Sequence, residues 1–271
     1  MTPSLSLILP EIGIPGVTIG VTTRDGGVGE APFDTLNLGD HVGDNPAHVS
    51  ENRRRLQSVL PERPICWLRQ VHGNRTVLAD HTDCSEADAH WTTQRRTPLA
   101  ILTADCLPVV IAAKDASCVG IAHAGWRGLS NGVLESLLTT LPSAPAQLFA
   151  WLGPAISVNA YEVGDDVRQC LLRTQGEETL HHFYPSARTT GHWMADLPAL
   201  ATLILHRAGI DTITASRSCT VAQPGDFFSH RRDGPAKRRI APVVWRASCP
   251  ADSAPPRPGR GAASASGRSP L

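Results

Sequence analysis

Three apolar runs, residues 99–103, 107–112 and 118–122, follow one another with only a few residues between them. Each is rich in Val, Ile, Leu and Ala and shorter than an ordinary helix, so each reads as a buried strand. Closely spaced strands of this kind need a sheet whose faces are covered by the rest of the chain. The first two runs meet at Asp105-Cys106, and the third leads directly into His123. A thiol and an imidazole are thereby expected at strand ends.

The remaining pattern supplies further strands and the helices to cover them. Residues 17–22, 66–70, 76–79, 148–152 and 243–245 read as strands. A helix is marked by Asn45 as N-cap, Pro46 at its first position, and Val49, Arg53, Leu56 and Leu60 at near-helical spacing. Further helices are expected after Gly128, carrying Val133, Leu134, Leu137, Leu138 and Leu141, and over residues 165–173 and 197–207, the last closed by Gly209. An α+β and a layered α/β arrangement both satisfy this pattern. Residues 1–247 are expected to form one domain, with 248–271, rich in Pro, Ala, Ser, Gly and Arg, as a disordered tail unable to offset its ordering entropy by burial.

Composition narrows the function classes. With 25 basic and 25 acidic residues the formal charge is zero, and nothing calls for a nucleic acid, a membrane or an obligate protein partner. Seven cysteines, none in a CxxC pair, and an N-terminus without secretory features point to a reducing cytoplasm in which most thiols are free. The apolar patch at residues 5–9 is too short to span a bilayer.

Chemistry concentrates in three turn-prone runs: Gln70-Val71-His72-Gly73, Thr103-Ala104-Asp105-Cys106-Leu107-Pro108 and His123-Ala124-Gly125-Trp126-Arg127-Gly128. Together His72, Cys106 and His123 make a His2Cys donor set that leaves a fourth zinc position open. Their separations, 33 and 16 intervening residues, do not by themselves specify a metal site. Cys106 therefore has three readings: a buried packing residue, a zinc thiolate, or a nucleophile activated by an imidazole such as His123. The glycines at 26–27 and 125–128 suit either tight turns or close approach of phosphate or sugar. Trp126 and Trp151 suit either core packing or stacking on a purine.

Further blocks extend the pattern: Thr23-Arg24-Asp25-Gly26-Gly27-Val28, residues 32–44 with Asn37-Leu38-Gly39-Asp40-His41, Trp151-Leu152-Gly153-Pro154, Tyr161-Glu162-Val163-Gly164, and Phe228-Ser229-His230-Arg231-Arg232-Asp233-Gly234. Up to about Trp245 the chain resembles the YfiH-type family, also called the laccase-domain, peptidoglycan editing factor or purine nucleoside phosphorylase family. That resemblance implies a compact α+β fold with a mixed sheet flanked by helices, similar to cysteine-hydrolase-like folds. It implies phosphorolysis of adenosine, inosine or S-methyl-5'-thioadenosine, with zinc, or copper, at His72, Cys106 and His123. Arg24, His41, Arg127, Arg231 and Arg232 are the matching candidates for substrate and phosphate, with Asp105 beside the catalytic Cys106, and Asp105 and Glu162 are the candidates for the acid/base that a deamination would need.

The family's Thr-Gly-Arg before the last strand is Ala236-Lys237-Arg238-Arg239 here, which leaves that arginine without an assigned role. Adenosine deamination is a second implied activity, although the H-x-E and P-C-x-x-C signatures of other zinc deaminases are absent. An alternative is a peptidoglycan-precursor editing amidohydrolase with Cys106 as nucleophile. Another is a non-catalytic zinc-stabilised binding protein. Laccase chemistry proper is poorly matched, because the 11 histidines include no H-x-H pair.

Overall fold

Strands Leu107–Ala113 and Val119–Ala124 lie side by side at the centre of the molecule, and every residue in both is buried. This is why they read as unbroken apolar runs: each face of the sheet they build is covered. The computed structural model describes residues 5, 7–10, 13–79, 85–234 and 238–247. The tail expectation for residues 248–271 lies outside the described residues.

The central sheet has six strands in the order Thr212–Ala215, Leu148–Leu152, Leu107–Ala113, Val119–Ala124, Ala89–Thr92, Thr76–Leu78. Its inner pairs are antiparallel and its two outermost pairs parallel, so the sheet is mixed. Leu107, Val109 and Ile111 point to one face, into a core shared with Leu134 and Leu137 of helix Val133–Thr140 and Leu200 and Ile204 of helix Leu197–Arg207. Val110 and Ala112 point to the other face, against Ile19, Val21, Leu99 and Val244. Those four belong to a second, antiparallel sheet ordered Leu7–Ile8, Val17–Thr22, Pro242–Arg246, Leu99–Ala100. Helices, mixed sheet and second sheet form successive layers of an α+β fold. Among the described residues no helix is long and apolar enough to cross a membrane.

Most expected elements are present, and helix Pro46–Ser58 starts as read, with the Asn45 side chain accepting from the Ala47 N–H at 3.0 Å. The differences gather around the chemistry-bearing runs. Residues 99–103 and 107–112 are not two strands of one sheet: only Leu99–Ala100 is strand, and it belongs to the second sheet. Residues 101–106 cross between the sheets, and the Gln70 amide stands in for a neighbouring strand by bonding both Leu102 N–H and Leu102 C=O. The helix expected after Gly128 is two helices, Trp126–Ser130 and Val133–Thr140, because Gly132 takes a left-handed conformation between them. Trp151 is buried between the two sheets, which settles its role as packing.

A candidate metal and active site

Cys106 immediately precedes Leu107–Ala113, and His123 is the penultimate residue of the adjoining strand Val119–Ala124, in register with Pro108. Antiparallel pairing therefore brings the thiol and the imidazole to the same end of the sheet. The third member, His72, arrives on a turn with a left-handed φ of 61°, a conformation histidine tolerates better than most residues. His72 and His123 meet edge to face with ring centroids 4.7 Å apart. One donor atom from each of His72, Cys106 and His123 lies within 4.8 Å of the others.

Asp88 organises both imidazoles, and the sequence reading overlooked it. Its carboxylate is fully buried and takes four donors. Oδ1 accepts from the His72 N–H at 3.0 Å and pairs with His123 Nδ1 at 2.9 Å; Oδ2 accepts from Val71 and Gly73 N–H at 3.1 and 2.7 Å. The Asp88 carbonyl also accepts from the His123 N–H at 2.7 Å. Burial pushes this carboxyl upward, but the His123 contact and the turn amides prevail and hold it below the usual carboxylate range. The one available signal was an acid between two alanines just before an apolar strand, Ala87-Asp88-Ala89.

With Nδ1 committed to Asp88, His123 presents Nε2 to the cluster, the arrangement by which a carboxylate fixes the tautomer of a metal-binding histidine. Burial pushes the Cys106 thiol up, yet the charge and hydrogen bonding of His123 and His72 outweigh it and bring the thiol down to about 6. His123 responds in the opposite sense: burial lowers it, whereas the Cys106 thiolate and Asp88 raise it to about 9. A thiolate beside oriented imidazoles is a donor set that fits zinc or copper.

Gly125 leaves the space that the sulfur occupies. A Cβ added there would sit 2.8 Å from Cys106 Sγ, while the backbone at φ −65° suits any residue. Gly125→Ala should accordingly keep the melting temperature within a few degrees of wild type but lower metal affinity and turnover about 10–100-fold. Metal content and kcat/KM measured on the same preparation check this.

Two cavities meet at the cluster and share His72, Ala104, Cys106 and His230. The first, about 190 Å³, is completed by His41, Gln70, Leu102, His123 and Arg239. The second, about 230 Å³, is completed by Asp105, Gly125, Trp126, Arg127, Ile156, Tyr161, Leu197 and Arg231. Neither alone reaches the ~300 Å³ at which small-molecule sites usually begin, and Cys106 stands in the wall between the two.

The candidate substrate residues divide by position. His41 lines the first cavity, its Nδ1 3.3 Å from Asp40. Arg127, stacked on Trp126, and Arg231, over the Tyr161 ring, line the second. Arg24 and Arg232 line neither. Arg24 bonds Asp34 and the Pro224 carbonyl, and Arg232 bonds Asp233 and the carbonyls of Thr220, Val221 and Phe227. Asp105 takes a left-handed φ of 87°, and its two oxygens accept from the Thr220 hydroxyl at 2.6 Å and the Arg231 N–H at 2.7 Å. It thus ties the Cys106 turn to the segment bearing His230 and Arg231. Glu162 bonds the Ser186 hydroxyl and lines neither cavity. His230, which like His41 belongs to a family-like block and reads from sequence as a candidate for lining the site, lines both cavities, whereas Gln70, Tyr161 and Arg239 are wall residues to which the sequence reading gave no role.

Two imidazoles and a thiol that converge where two cavities share walls on an α+β scaffold make a metal-competent cluster. Residues 18–247 match the family model described as multi-copper polyphenol oxidoreductase laccase, and the chain belongs to this YfiH-type laccase-domain family. Similar relatives include a purine nucleoside phosphorylase of Pseudomonas aeruginosa, 44% identical over 83% of this chain and 91% of the relative. Another is the purine nucleoside phosphorylase YfiH of Escherichia coli, 39% identical over 88% and 98%. Among solved structures, a Neisseria meningitidis protein is 38% identical with a TM-score of 0.83, covering 90% of this chain and all of that one. The YfiH protein of Bacillus licheniformis is 30% identical with a TM-score of 0.84, covering 91% and 98%.

Proposed function

We propose that this chain is a purine nucleoside phosphorylase acting on adenosine, inosine and S-methyl-5'-thioadenosine. The observation that carries the reading is the placement of the Cys106 cluster between a polar cavity and one walled by Trp126, Ile156, Tyr161 and Leu197. Relatives that match 83% and 88% of this chain bear the phosphorylase name. In phosphorolysis a phosphate oxygen bonds to C1' of the ribose as the bond from C1' to the purine nitrogen breaks. The electron pair leaves with the purine, and the proton of hydrogen phosphate ends on the released base.

This reaction asks the protein chiefly to align two reactants and to stabilise separated charge. The Trp126 and Tyr161 side offers rings and apolar surface to a flat base, with Arg127 and Arg231 at its edge. His41, Arg127 and Arg231 are the substrate contacts in this reading. Arg24 and Arg232, whose guanidiniums are engaged inside the fold, frame the site. His230 lines both cavities, within reach of either reactant. Zinc, or copper in its place, would be held by His72, Cys106 and His123, and when bound supplies Lewis-acid stabilisation of negative charge through its open position. Deamination of adenosine at the same site would be seen as conversion to inosine without base release.

Chromatography of adenosine and inosine reactions with and without inorganic phosphate tests the proposal. Free base and ribose 1-phosphate should appear in equal amounts and only with phosphate. Intact nucleoside in the presence of metal-replete protein and phosphate would overturn it.

One observation favours a second reading. Cys106, His123 and Asp88 lie in series as thiolate, imidazole and orienting carboxylate, the order used in nucleophilic amide hydrolysis. In an amidohydrolase that edits peptidoglycan precursors, the thiolate would bond to the carbonyl carbon and the amine would leave with a proton from His123. Water would then release the acid and restore the thiol. Amide cleavage independent of phosphate distinguishes this reading.

A further inference from the structure

Among the described residues, Arg239 stands in the wall of the first cavity with one hydrogen bond from its guanidinium. A guanidinium carries five N–H donors, and one is accounted for: Nη1 donates to the Arg238 carbonyl at 2.9 Å. Among the described residues no carboxylate pairs with it. Asp233 is taken by Arg232 and Arg238, and Asp40 by Arg53 and His41. Arg24, Arg232 and Arg238 are each paired with a carboxylate, whereas Arg231, like Arg239, has a carbonyl partner, that of Glu162.

The backbone holds this side chain at the cavity. Arg239 N–H donates to Asn37 Oδ1 at 2.9 Å and its carbonyl accepts from Leu38 N–H at 3.2 Å, so the Asn37-to-His41 segment and Arg239 form one wall. Gly39 makes the approach possible, because a Cβ there would lie 2.9 Å from Arg239 Cγ. His41 and His230 line the same cavity, whereas the Gln70 amide is spent on Leu102. Apart from the His72, Cys106 and His123 cluster, the polar cavity therefore offers a cation and two imidazoles, and among the described residues no carboxylate lines it.

We infer that Arg239, with His41 and His230, forms the phosphate subsite, and that the purine occupies the Trp126 and Tyr161 compartment across Cys106. The inference rests on the phosphorylase reading and assigns its two reactants to opposite sides of the cluster. A planar guanidinium with open donors suits a tetrahedral oxyanion, which it can engage through two parallel bonds. Burial lowers the Arg239 guanidinium, and the nearby Cys106 and Asp105 charges offset this only in part.

The test is to measure KM for inorganic phosphate and for adenosine in wild type, Arg239→Met, Arg239→Lys and Arg231→Met, with binding of inorganic phosphate alone followed by calorimetry. Arg239→Met should raise the phosphate KM at least about tenfold, the scale of one lost charge-assisted bond, and leave the adenosine KM within about twofold. Arg239→Lys should recover part of the loss, and it carries the test if the methionine variant fails to fold. Arg231→Met should shift the adenosine KM instead. An unchanged phosphate KM in both Arg239 variants, or a phosphate defect confined to Arg231→Met, overturns the assignment. If wild type releases no base yet binds inorganic phosphate, and Arg239→Met abolishes that binding, the phosphorylase reading fails while the anion site stands.

Discussion

Replacing Cys106 by alanine is expected to reduce phosphate-dependent base release by roughly 10³-fold or more while leaving a folded protein. The sulfur is one of three donors converging at the cavity junction, and nothing beside it can substitute: Gly125 faces it with no side chain at all. The packing cost should be small, because the removed atom borders a cavity and is only partly buried, and the loss of the thiolate's own contribution grows with pH. In metal-free protein the thiol is held down to about 6, against 9.0 for an ordinary one. Alkylation of the Cys106 peptide by iodoacetamide should therefore be half-maximal near pH 6, with His123 protonated up to about 9. The linkage signs follow. The Cys106 contribution to stability is full above the unfolded thiol value and is lost as pH falls through about 6. That of His123 is full below 6.5 and is lost as pH rises through about 9. Turnover that survives in Cys106→Ala, or an alkylation midpoint near 9, would remove Cys106 from the chemistry.

What the sequence discloses and what it hides follow from the range of the interactions involved. Residues 107–112 and 118–122 are legible because burial on both faces leaves an unbroken apolar signature, and Asn45-Pro46 is legible because a cap is made within three residues. His72, Cys106 and His123 stand out by their residue types and turn-rich surroundings, although what assembles them is strand register and a buried acid. The Leu99 and Leu107 runs look alike in sequence yet enter different sheets. That division depends on the Gln70 amide reaching Leu102, a contact 32 residues long that no local pattern encodes. The arginines teach the same lesson in reverse. Arg24, Arg127, Arg231 and Arg232 share motif membership, but only the fold shows that Arg24 and Arg232 are paired with carboxylates and that, among the described residues, Arg239 is not.

Asp88 offers the sharper experiment, because a change of one atom type should dismantle the site by one of two routes. In wild type each carboxylate oxygen accepts two donors, Oδ1 from His72 N–H and His123 Nδ1, and Oδ2 from the Val71 and Gly73 amides. Asparagine keeps the shape but has only one acceptor oxygen. If that oxygen serves Val71 and Gly73, its NH2 group faces His123 Nδ1 and donates to it. The imidazole proton then moves to Nε2, closing the lone pair the cluster needs. If the oxygen instead serves His72 and His123, the half-buried Val71 and Gly73 amides face an NH2 group, and the turn that carries His72 must open. Either route removes one imidazole from the donor set. Asp88→Asn should therefore lose about 10–100-fold in metal affinity and at least about 10²-fold in turnover. It should also lose about 2–4 kcal/mol of stability from donors left without acceptors. Because the folded carboxyl lies below its unfolded value of 3.8, its contribution is present above that pH and lost as pH falls through the folded value. The stability gap between wild type and variant should consequently be wide at pH 7 and close in acid below about pH 4. A variant with normal metal content and a gap that does not vary with pH would show that the two imidazoles are held by packing alone.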